Sequence, residues 1–129
     1  MSTLAVGTIK SVSSAAPVFQ NTSGTEKGQL AKVWINFNGT GTVAIRDSFN
    51  VSSITDNGTG NYTVTIDNDM SNANYSVVTG GNRDTTNSIC VAMVKVGATP
   101  AAGSFLLLGG DSDFSFHDYN FVFASVFGD

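Results

Sequence analysis

The sequence predicts an all-β protein of antiparallel strands, either a β-sandwich or a jelly-roll-like domain, with a short N-terminal arm. Ser, Thr and Asn account for 15, 14 and 12 of the 129 residues, whereas there are only one Glu, two Gln and five Leu, so helix-favouring residues are scarce. Glycine is abundant, at 14 residues, and favours tight turns. Between the turn-like sequences, short segments alternate apolar and polar residues with the two-residue period of a strand.

Residues 1–30 are expected to form an arm, and residues 31–129 a single sandwich domain. The arm is thinly apolar and includes a polar, turn-rich segment at 21–28. Because such a segment cannot form its own core, we expect it to lie on another surface, either of its own domain or of a neighbouring chain. Its widely spaced apolar residues are therefore the candidate assembly interface. They are Leu4, Val6, Ile9 and Val12.

The clearest strand signal begins at Ala31. From there Val33, Ile35 and Phe37 share the apolar face, and Trp34, Asn36 and Asn38 share the polar face. A turn is expected over 38–41, because Asn-Gly tolerates the positive φ that two-residue hairpins require. The chain is then expected to return through a series of apolar residues. They are Val43, Ile45, Phe49, Val51 and Ile54.

The strongest hairpin signal is Asp-Asn-Gly-Thr-Gly at 56–60. After it, Tyr62, Val64 and Ile66 alternate with polar residues and predict the next strand. A polar loop is expected over 67–74, a further strand from Tyr75, and a second polar loop over 80–87.

Two C-terminal segments are apolar on both faces. Residues 89–96 are apolar except for Lys95, which predicts a strand covered on both sides, in a sandwich or at a subunit interface. A short strand is expected over 105–108, ending at two glycines. In the last segment, Tyr119, Phe121, Phe123 and Phe127 share one face and Val122, Ala124 and Val126 share the other, so we place this strand centrally in the core.

Composition argues against several classes of function. Six Lys and Arg against ten Asp and Glu give a net charge of −4, so no basic surface indicates a nucleic-acid partner. No apolar run approaches the ~20 residues of a membrane span, and the first ten residues lack the pattern of a secretory signal. A lone cysteine, Cys90, argues against a disulfide framework and a cysteine metal cluster.

Few residues are suited to catalysis or metal binding. His117, the single histidine, has Asp113 and Asp118 nearby in sequence, but a polar-loop histidine is the favoured interpretation over a catalytic base. The carboxylate pairs at 67/69 and 111/113 leave a loop Ca²⁺ site open, with solvated turns favoured. A glycosidase pair from distant strands also stays open. We therefore predict no catalytic residue, no metal site and no cofactor, in a protein that is not an enzyme.

Trp34 is the candidate recognition residue of the domain. It falls on the polar face of its strand with Asn36 and Asn38, where it could stack on a sugar ring or anchor a partner protein. The alternative interpretation, modestly favoured, is a tryptophan covered by the arm or by a second sheet.

Residues 31–80, AKVWINFNGTGTVAIRDSFNVSSITDNGTGNYTVTIDNDMSNANYSVVTG, resemble a module of structural and tail-fibre-like proteins of tailed bacteriophages, notably marine and cyanobacterial phages. The most specific stretches are Trp34–Arg46 and Asn50–Tyr62. The preceding segment TIKSVSSAAPVFQNTSGTEKGQL resembles the lead-in to that module, and the aromatic C-terminal part is less typical.

The resemblance implies a non-enzymatic structural protein of the phage virion, with a β-rich fold and probable assembly as a homotrimer. Such a protein would be assembled in the host cytoplasm and exposed on the particle, as a capsid decoration or cement-type protein, a short fibre or a knob. Its partners would be other capsid or tail proteins. The alternative is a tail-fibre module that binds a host-surface glycan, through Trp34 or the loop at 111–119. A small polysaccharide-degrading enzyme is a third reading and is disfavoured.

Overall fold

The computed structural model describes residues 4–11, 17–83, 91–95, 98–113 and 115–128. The chain divides into two compact units, Met1–Leu30 and Ala31–Asp129. In the first unit, β1 (Phe19–Gln20) pairs antiparallel with β2 (Glu26–Gly28). The turn between them is fixed by Asn21, whose Oδ1 accepts hydrogen bonds from the backbone N–H groups of Ser23 and Thr25.

The second unit is a β-sandwich, and the predicted all-β antiparallel class is confirmed. Its described residues form two four-stranded antiparallel sheets, with strand orders β4-β3-β10-β7 and β5-β6-β9-β8. The strands are β3 (Val33–Asn38), β4 (Ala44–Phe49), β5 (Val51–Asp56), β6 (Asn61–Ile66), β7 (Ser76–Asn82), β8 (Val91–Val94), β9 (Ser104–Gly110) and β10 (Phe121–Phe127). The chain passes from one sheet to the other at both edges, between β4 and β5 and between β7 and β8.

The core lies between the two sheets and takes one face of each. The predicted alternation of β3 and β6 is confirmed, because the odd-numbered residues of β3 and the even-numbered residues of β6 are buried. The rings of Phe37 and Tyr62 meet edge to face across the core, with centroids 5.0 Å apart. The core residues are Val33, Ile35, Phe37, Tyr62, Val64, Ile66, Met70, Phe105, Leu107, Tyr119, Val122, Ala124 and Val126.

Asp118 joins three turns at one end of the sandwich. The Tyr62 hydroxyl lies 2.9 Å from Asp118 Oδ1 and 3.0 Å from the carbonyl oxygen of Gly39. The same carboxylate oxygen accepts a hydrogen bond from the Gly60 N–H, at 2.7 Å. Gly60 has φ of 65°, and a Cβ there would overlap the Gly109 carbonyl oxygen, so the predicted 56–60 hairpin requires glycine at this position. Burial, followed by the hydrogen bond and charge of Asp118, raises the pKa of Tyr62.

Asn50 forms the corner at which the chain leaves one sheet for the other. Among the residues described, Asn50 is the one non-glycine residue with a positive φ, at 57°. Its Nδ2 donates to the carbonyl oxygens of Lys32 and Asn68, at 3.1 and 3.0 Å, and its Oδ1 accepts from the Asn68 backbone N–H at 2.7 Å. The side chain therefore ties the start of β3 and the end of β6 to the β4–β5 corner.

At the opposite edge, Thr79 connects the sheets. Its hydroxyl donates a hydrogen bond to the Ala92 carbonyl oxygen, so β7 of one sheet is tied to β8 of the other. Among the described residues, each sheet-changing edge thus has a side chain that satisfies backbone groups of the facing sheet.

Several sequence expectations are wrong in detail. The expected loop at 80–87 begins later, because Gly80, Gly81 and Asn82 belong to β7 and pair with β10; residues 84–90 are outside the described part of the chain. The apolar segment at 89–96 contains β8, the edge strand of its sheet, and Met93 on its outer face is 42% exposed, so this strand is not covered on both sides within the chain; coverage at a subunit interface stays a prediction. The first turn extends over 39–43, since Asn38 pairs with Ala44.

The placement of β10 is partly correct. It is central in its sheet, hydrogen-bonded to β3 on one side and β7 on the other. However, only one of its faces lies in the core. Val122, Ala124 and Val126 are buried, whereas the phenylalanines on the other face are exposed. The expectation that both faces are covered is therefore wrong for this chain.

Candidate interaction surface

The outer face of the β4-β3-β10-β7 sheet is apolar and exposed. Phe49, Phe121, Phe123 and Phe127 are 55%, 43%, 48% and 37% exposed, and Val78 is 59% exposed. Trp34 lies on the same face and is half-buried. We call this set the aromatic face; its members are Trp34, Phe49, Val78, Phe121, Phe123 and Phe127.

The strand register makes the aromatic face one continuous surface. Phe121, Phe123 and Phe127 run along β10, on the side that alternates away from the core. A second line runs across the sheet, because Phe49 is paired with Trp34, Trp34 with Ser125 and Ser125 with Val78. The two lines cross at Ser125. Trp34 and Phe123 lie on the two central strands, whereas Phe49, Val78, Phe121 and Phe127 lie on edge strands or at the ends of β10.

Glycine on β7 keeps this surface flat. Gly80 is paired with Phe123, and a Cβ at Gly80 would overlap the Phe123 ring. The ring therefore lies across the neighbouring strand, covering the glycine backbone instead of projecting from the sheet. At the other end of β10, the guanidinium carbon of Arg46 lies 4.0 Å from the Phe121 ring centroid, a cation–π contact.

The opposite sheet provides an internal comparison. Its outer face carries hydroxyl side chains on β5 and β6, including Thr55, which is paired with Thr63, and Ser53, which is paired with Thr65. Among the described residues of this outer face, Met93 is the one large apolar side chain that is exposed. The half-buried Leu106 and Leu108 of β9 lie beside it. The outer face of this sheet is therefore polar on β5 and β6 and apolar on β8 and β9, whereas apolar residues lie on all four strands of the other sheet.

Asn36 occupies the aromatic face between Asp47 on β4 and Phe123 on β10. Its Oδ1 is shielded from solvent and accepts no hydrogen bond from the residues described. A shielded amide oxygen without a donor is destabilising, so this position does not serve the stability of the isolated domain.

His117 is part of a charged cluster at the end of β9. Its Nε2 lies 2.7 Å from Asp111 Oδ2, and Arg83 Nη1 lies 3.5 Å from the same oxygen. The carboxylate partner is thus Asp111, whereas Asp118, suggested by sequence proximity, is bonded to Tyr62. The His117 backbone N–H donates to the Gly109 carbonyl oxygen. These contacts anchor a loop to a strand end, which favours the structural interpretation of His117 over a catalytic one.

The acidic pairs show no metal-binding arrangement. No group of three or more His, Cys, Asp or Glu side chains within the described ranges could hold a metal ion. Asp67 Oδ2 accepts a hydrogen bond from Asn68, and Asp113 Oδ1 accepts one from the Ser115 N–H. Hydrogen bonding with the Asp111 carboxyl, then with Ser115, lowers the pKa of Asp113.

Three of the four arm residues chosen from the sequence lie in the described part of the chain. Leu4, Val6 and Ile9 are 81%, 52% and 60% exposed, and Val12 lies outside the described residues, as does Cys90. Trp34 lies on the outer face of its sheet, away from the second sheet, so cover by a second sheet is the wrong explanation for it. Sequence reasoning missed the aromatic face because it assigned the β10 phenylalanines to the core.

No protein-family model matches the chain, and no curated protein or solved structure matches it either. Within the described ranges, no helix is long and apolar enough to cross a membrane. The relation to tailed-phage proteins therefore continues to depend on the resemblance of residues 31–80.

Proposed function

We propose that this protein is a non-enzymatic structural component of a tailed-bacteriophage virion, exposed on the particle as a decoration or cement-type protein or as a short fibre or knob. The supporting observation is the aromatic face. A flat, apolar sheet surface of this extent is favourable only when another component covers it, because exposed apolar area costs free energy in water. The resemblance of residues 31–80 to phage structural modules supplies the setting.

Assembly, rather than catalysis, is the function that the described side chains support best. The His117 cluster and the Asp118 network are engaged with backbone groups and with the core tyrosine, where they stabilise turns. The aromatic face is the part of the sandwich whose side chains lack an evident role in its own stability. Under this proposal, residues 4–11 are a second contact with capsid or tail proteins, through Leu4, Val6 and Ile9.

The test is particle composition. Purified particles of a phage whose genome encodes this chain are analysed by quantitative mass spectrometry, and an antibody against the purified protein locates it on the particle by electron microscopy. We expect tens to hundreds of copies per particle, as for a decoration protein. Absence of the protein from purified particles would contradict the proposal.

A glycan-binding module of a tail fibre is the second candidate function. The observation that favours it is the outward position of Trp34 next to Phe49, where exposed rings could stack on a sugar. This candidate predicts a few copies per particle, at a fibre tip, together with glycan binding that Trp34→Ala abolishes. A decoration protein predicts neither result.

A further inference from the structure

We propose that the aromatic face is the contact surface between two copies of this chain, which pack face to face through their β4-β3-β10-β7 sheets. This inference rests on the proposed assembly function and identifies the partner of the face as a second copy. It differs from the trimer that the family resemblance implies.

The area of the face fits this partner. Four phenylalanine side chains of roughly 200 Å² each, all about half exposed, together with Val78, present on the order of 450 Å² of apolar surface. Four strands ~4.8 Å apart and about seven residues long give the sheet a projected face of ~19 by 23 Å. Two copies packed through this face would together bury on the order of 900 Å², which is the size of a weak, reversible interface rather than of a standard stable one.

The shape of the face also fits a second sheet. Two sheets pack with their faces ~10 Å apart when side chains project evenly and the surfaces are flat. The Phe123 ring lies over Gly80 of the neighbouring strand, and the small Ser125 stands between Phe123 and Phe127 on β10, so two positions of the outer face carry no tall side chain. A second sheet can therefore approach the face at these positions.

The charges on the face permit self-association. Within its four strands, the charged side chains are Arg46 and Asp47, one of each sign and both on β4. Two copies therefore bring no excess of like charge together, although the whole chain carries −4. The same surface on both copies generates a closed two-fold dimer rather than an open chain.

Face-to-face packing would also act on Asn36. Its Oδ1 lies within the aromatic face and is without a donor in the single chain, so a small shift of the covering side chains on association could bring a donor of the partner chain to it. Asn36 would then set the alignment of the two sheets, which apolar packing alone leaves loosely specified.

The experiment measures the mass of the purified full-length chain by sedimentation equilibrium over a wide micromolar range of concentration. We expect a reversible dimer of twice the chain mass of 13.4 kDa. Phe123→Ser should weaken the dimer at least about thirtyfold, since a central aromatic contact is lost from both copies. The matched control is Met93→Ser, which removes an apolar side chain of similar exposure from the outer face of the opposite sheet and should leave the dimer unchanged.

Folding of the variants is checked separately, so that loss of association is not confused with unfolding. Phe123→Ser is compared with Val78→Lys, which replaces the most exposed apolar residue of the face and introduces like charges across the interface. Both should retain the far-ultraviolet circular dichroism of the wild type and dissociate into monomers.

Three outcomes of the sedimentation experiment would overturn the inference. They are a monomer at all concentrations, a trimer, and a dimer that both face variants leave intact. Binding of a polysaccharide or of lipid vesicles by a monomer, abolished by Phe123→Ser, would also overturn it and would assign the face to that ligand. The outcome is independent of particle composition, because a dimer in solution is compatible with absence from the virion and a monomer is compatible with presence.

Discussion

Replacing Asn50 tests the corner that joins the two sheets. Its side chain makes hydrogen bonds to the backbone of Lys32 and Asn68, and its backbone has φ of 57°. Asn50→Gly removes the hydrogen bonds while allowing the positive φ. Asn50→Ala removes the same hydrogen bonds but keeps a Cβ in the left-handed region, without the local side-chain hydrogen bonds that let asparagine tolerate it. The pair of variants therefore separates the side-chain contribution from the backbone contribution.

The expected magnitudes follow from these contacts. Each hydrogen bond contributes about 1 kcal/mol net, and the partial exposure of the corner reduces the sum, so Asn50→Gly should lower the free energy of unfolding by about 2 kcal/mol. Asn50→Ala should lower it by about 1 kcal/mol more, because a non-glycine residue in the left-handed region costs roughly 1–2 kcal/mol and alanine recovers part of that through the unfolded chain.

The assay is equilibrium unfolding in urea, monitored by Trp34 fluorescence and by circular dichroism at one protein concentration for all variants. The concentration is fixed because self-association would itself raise the apparent stability. If both Asn50 variants match the wild type, the corner does not hold the sheets together. If Asn50→Ala is as stable as Asn50→Gly, the positive φ has no energetic consequence, and the backbone part of the reasoning is refuted.

Three further predictions concern the core, a buried tyrosine and the aromatic face. Leu107→Ala should lower the free energy of unfolding by about 3 kcal/mol in the same urea assay, because Leu107 is fully buried. Leu106 lies on the outer side of the same strand, so Leu106→Ala should lower it by less than about 1 kcal/mol. The pKa of Tyr62 is raised in the folded state, so the stability that its protonated hydroxyl contributes is complete below the ordinary phenol pKa of 10.0 and is lost as pH rises above that value. Tyr62→Phe should therefore make the urea midpoint fall less steeply with pH in the alkaline range. An unchanged slope would contradict a raised pKa of Tyr62. In the Val78→Lys background, in which the chain is expected to be monomeric, Asn36→Val should raise the free energy of unfolding by about 1 kcal/mol, since it removes a shielded oxygen without a donor, and a lower free energy of unfolding would contradict this reading of Asn36.

Local patterns in the sequence predict much of the sandwich. The alternation of Val33, Ile35 and Phe37 identifies β3 and its buried side, because a two-residue period has only one physical reading when a single face is apolar. The Asp-Asn-Gly-Thr-Gly sequence at 56–60 identifies the β5–β6 hairpin, in which Gly58 and Gly60 adopt positive φ. These features depend on neighbours in the chain, so they can be read without the fold.

Features that depend on distant pairing could not be predicted in this way. In the sequence, Asn50 is one polar residue in a segment that alternates apolar and polar residues. Its role at the sheet corner depends on hydrogen bonds to Lys32 and Asn68, each 18 residues away, which the local sequence does not indicate. Gly80 and Gly81 resemble a loop by composition, but they lie in β7, where the Phe123 ring covers Gly80. His117 has Asp113 and Asp118 nearby in sequence, but its carboxylate partner is Asp111, whereas Asp118 reaches Tyr62.

The aromatic face follows from the way large and small side chains are distributed on β10. Its core side carries Val122, Ala124 and Val126, and its outer side carries Phe121, Phe123 and Phe127. A strand that served only its own sandwich would gain most by directing its largest apolar side chains inward, where they bury the greatest area. Here the largest ones are directed outward and the core is completed by residues from other strands, such as Phe37 and Phe105. The sequence of β10 therefore specifies two apolar layers, one filled within the chain and one that is exposed and that the proposed second copy would cover. A strand apolar on both faces has the same sequence signal whether or not both are covered, and only the order β4-β3-β10-β7 and the packing of the second sheet show which side is exposed.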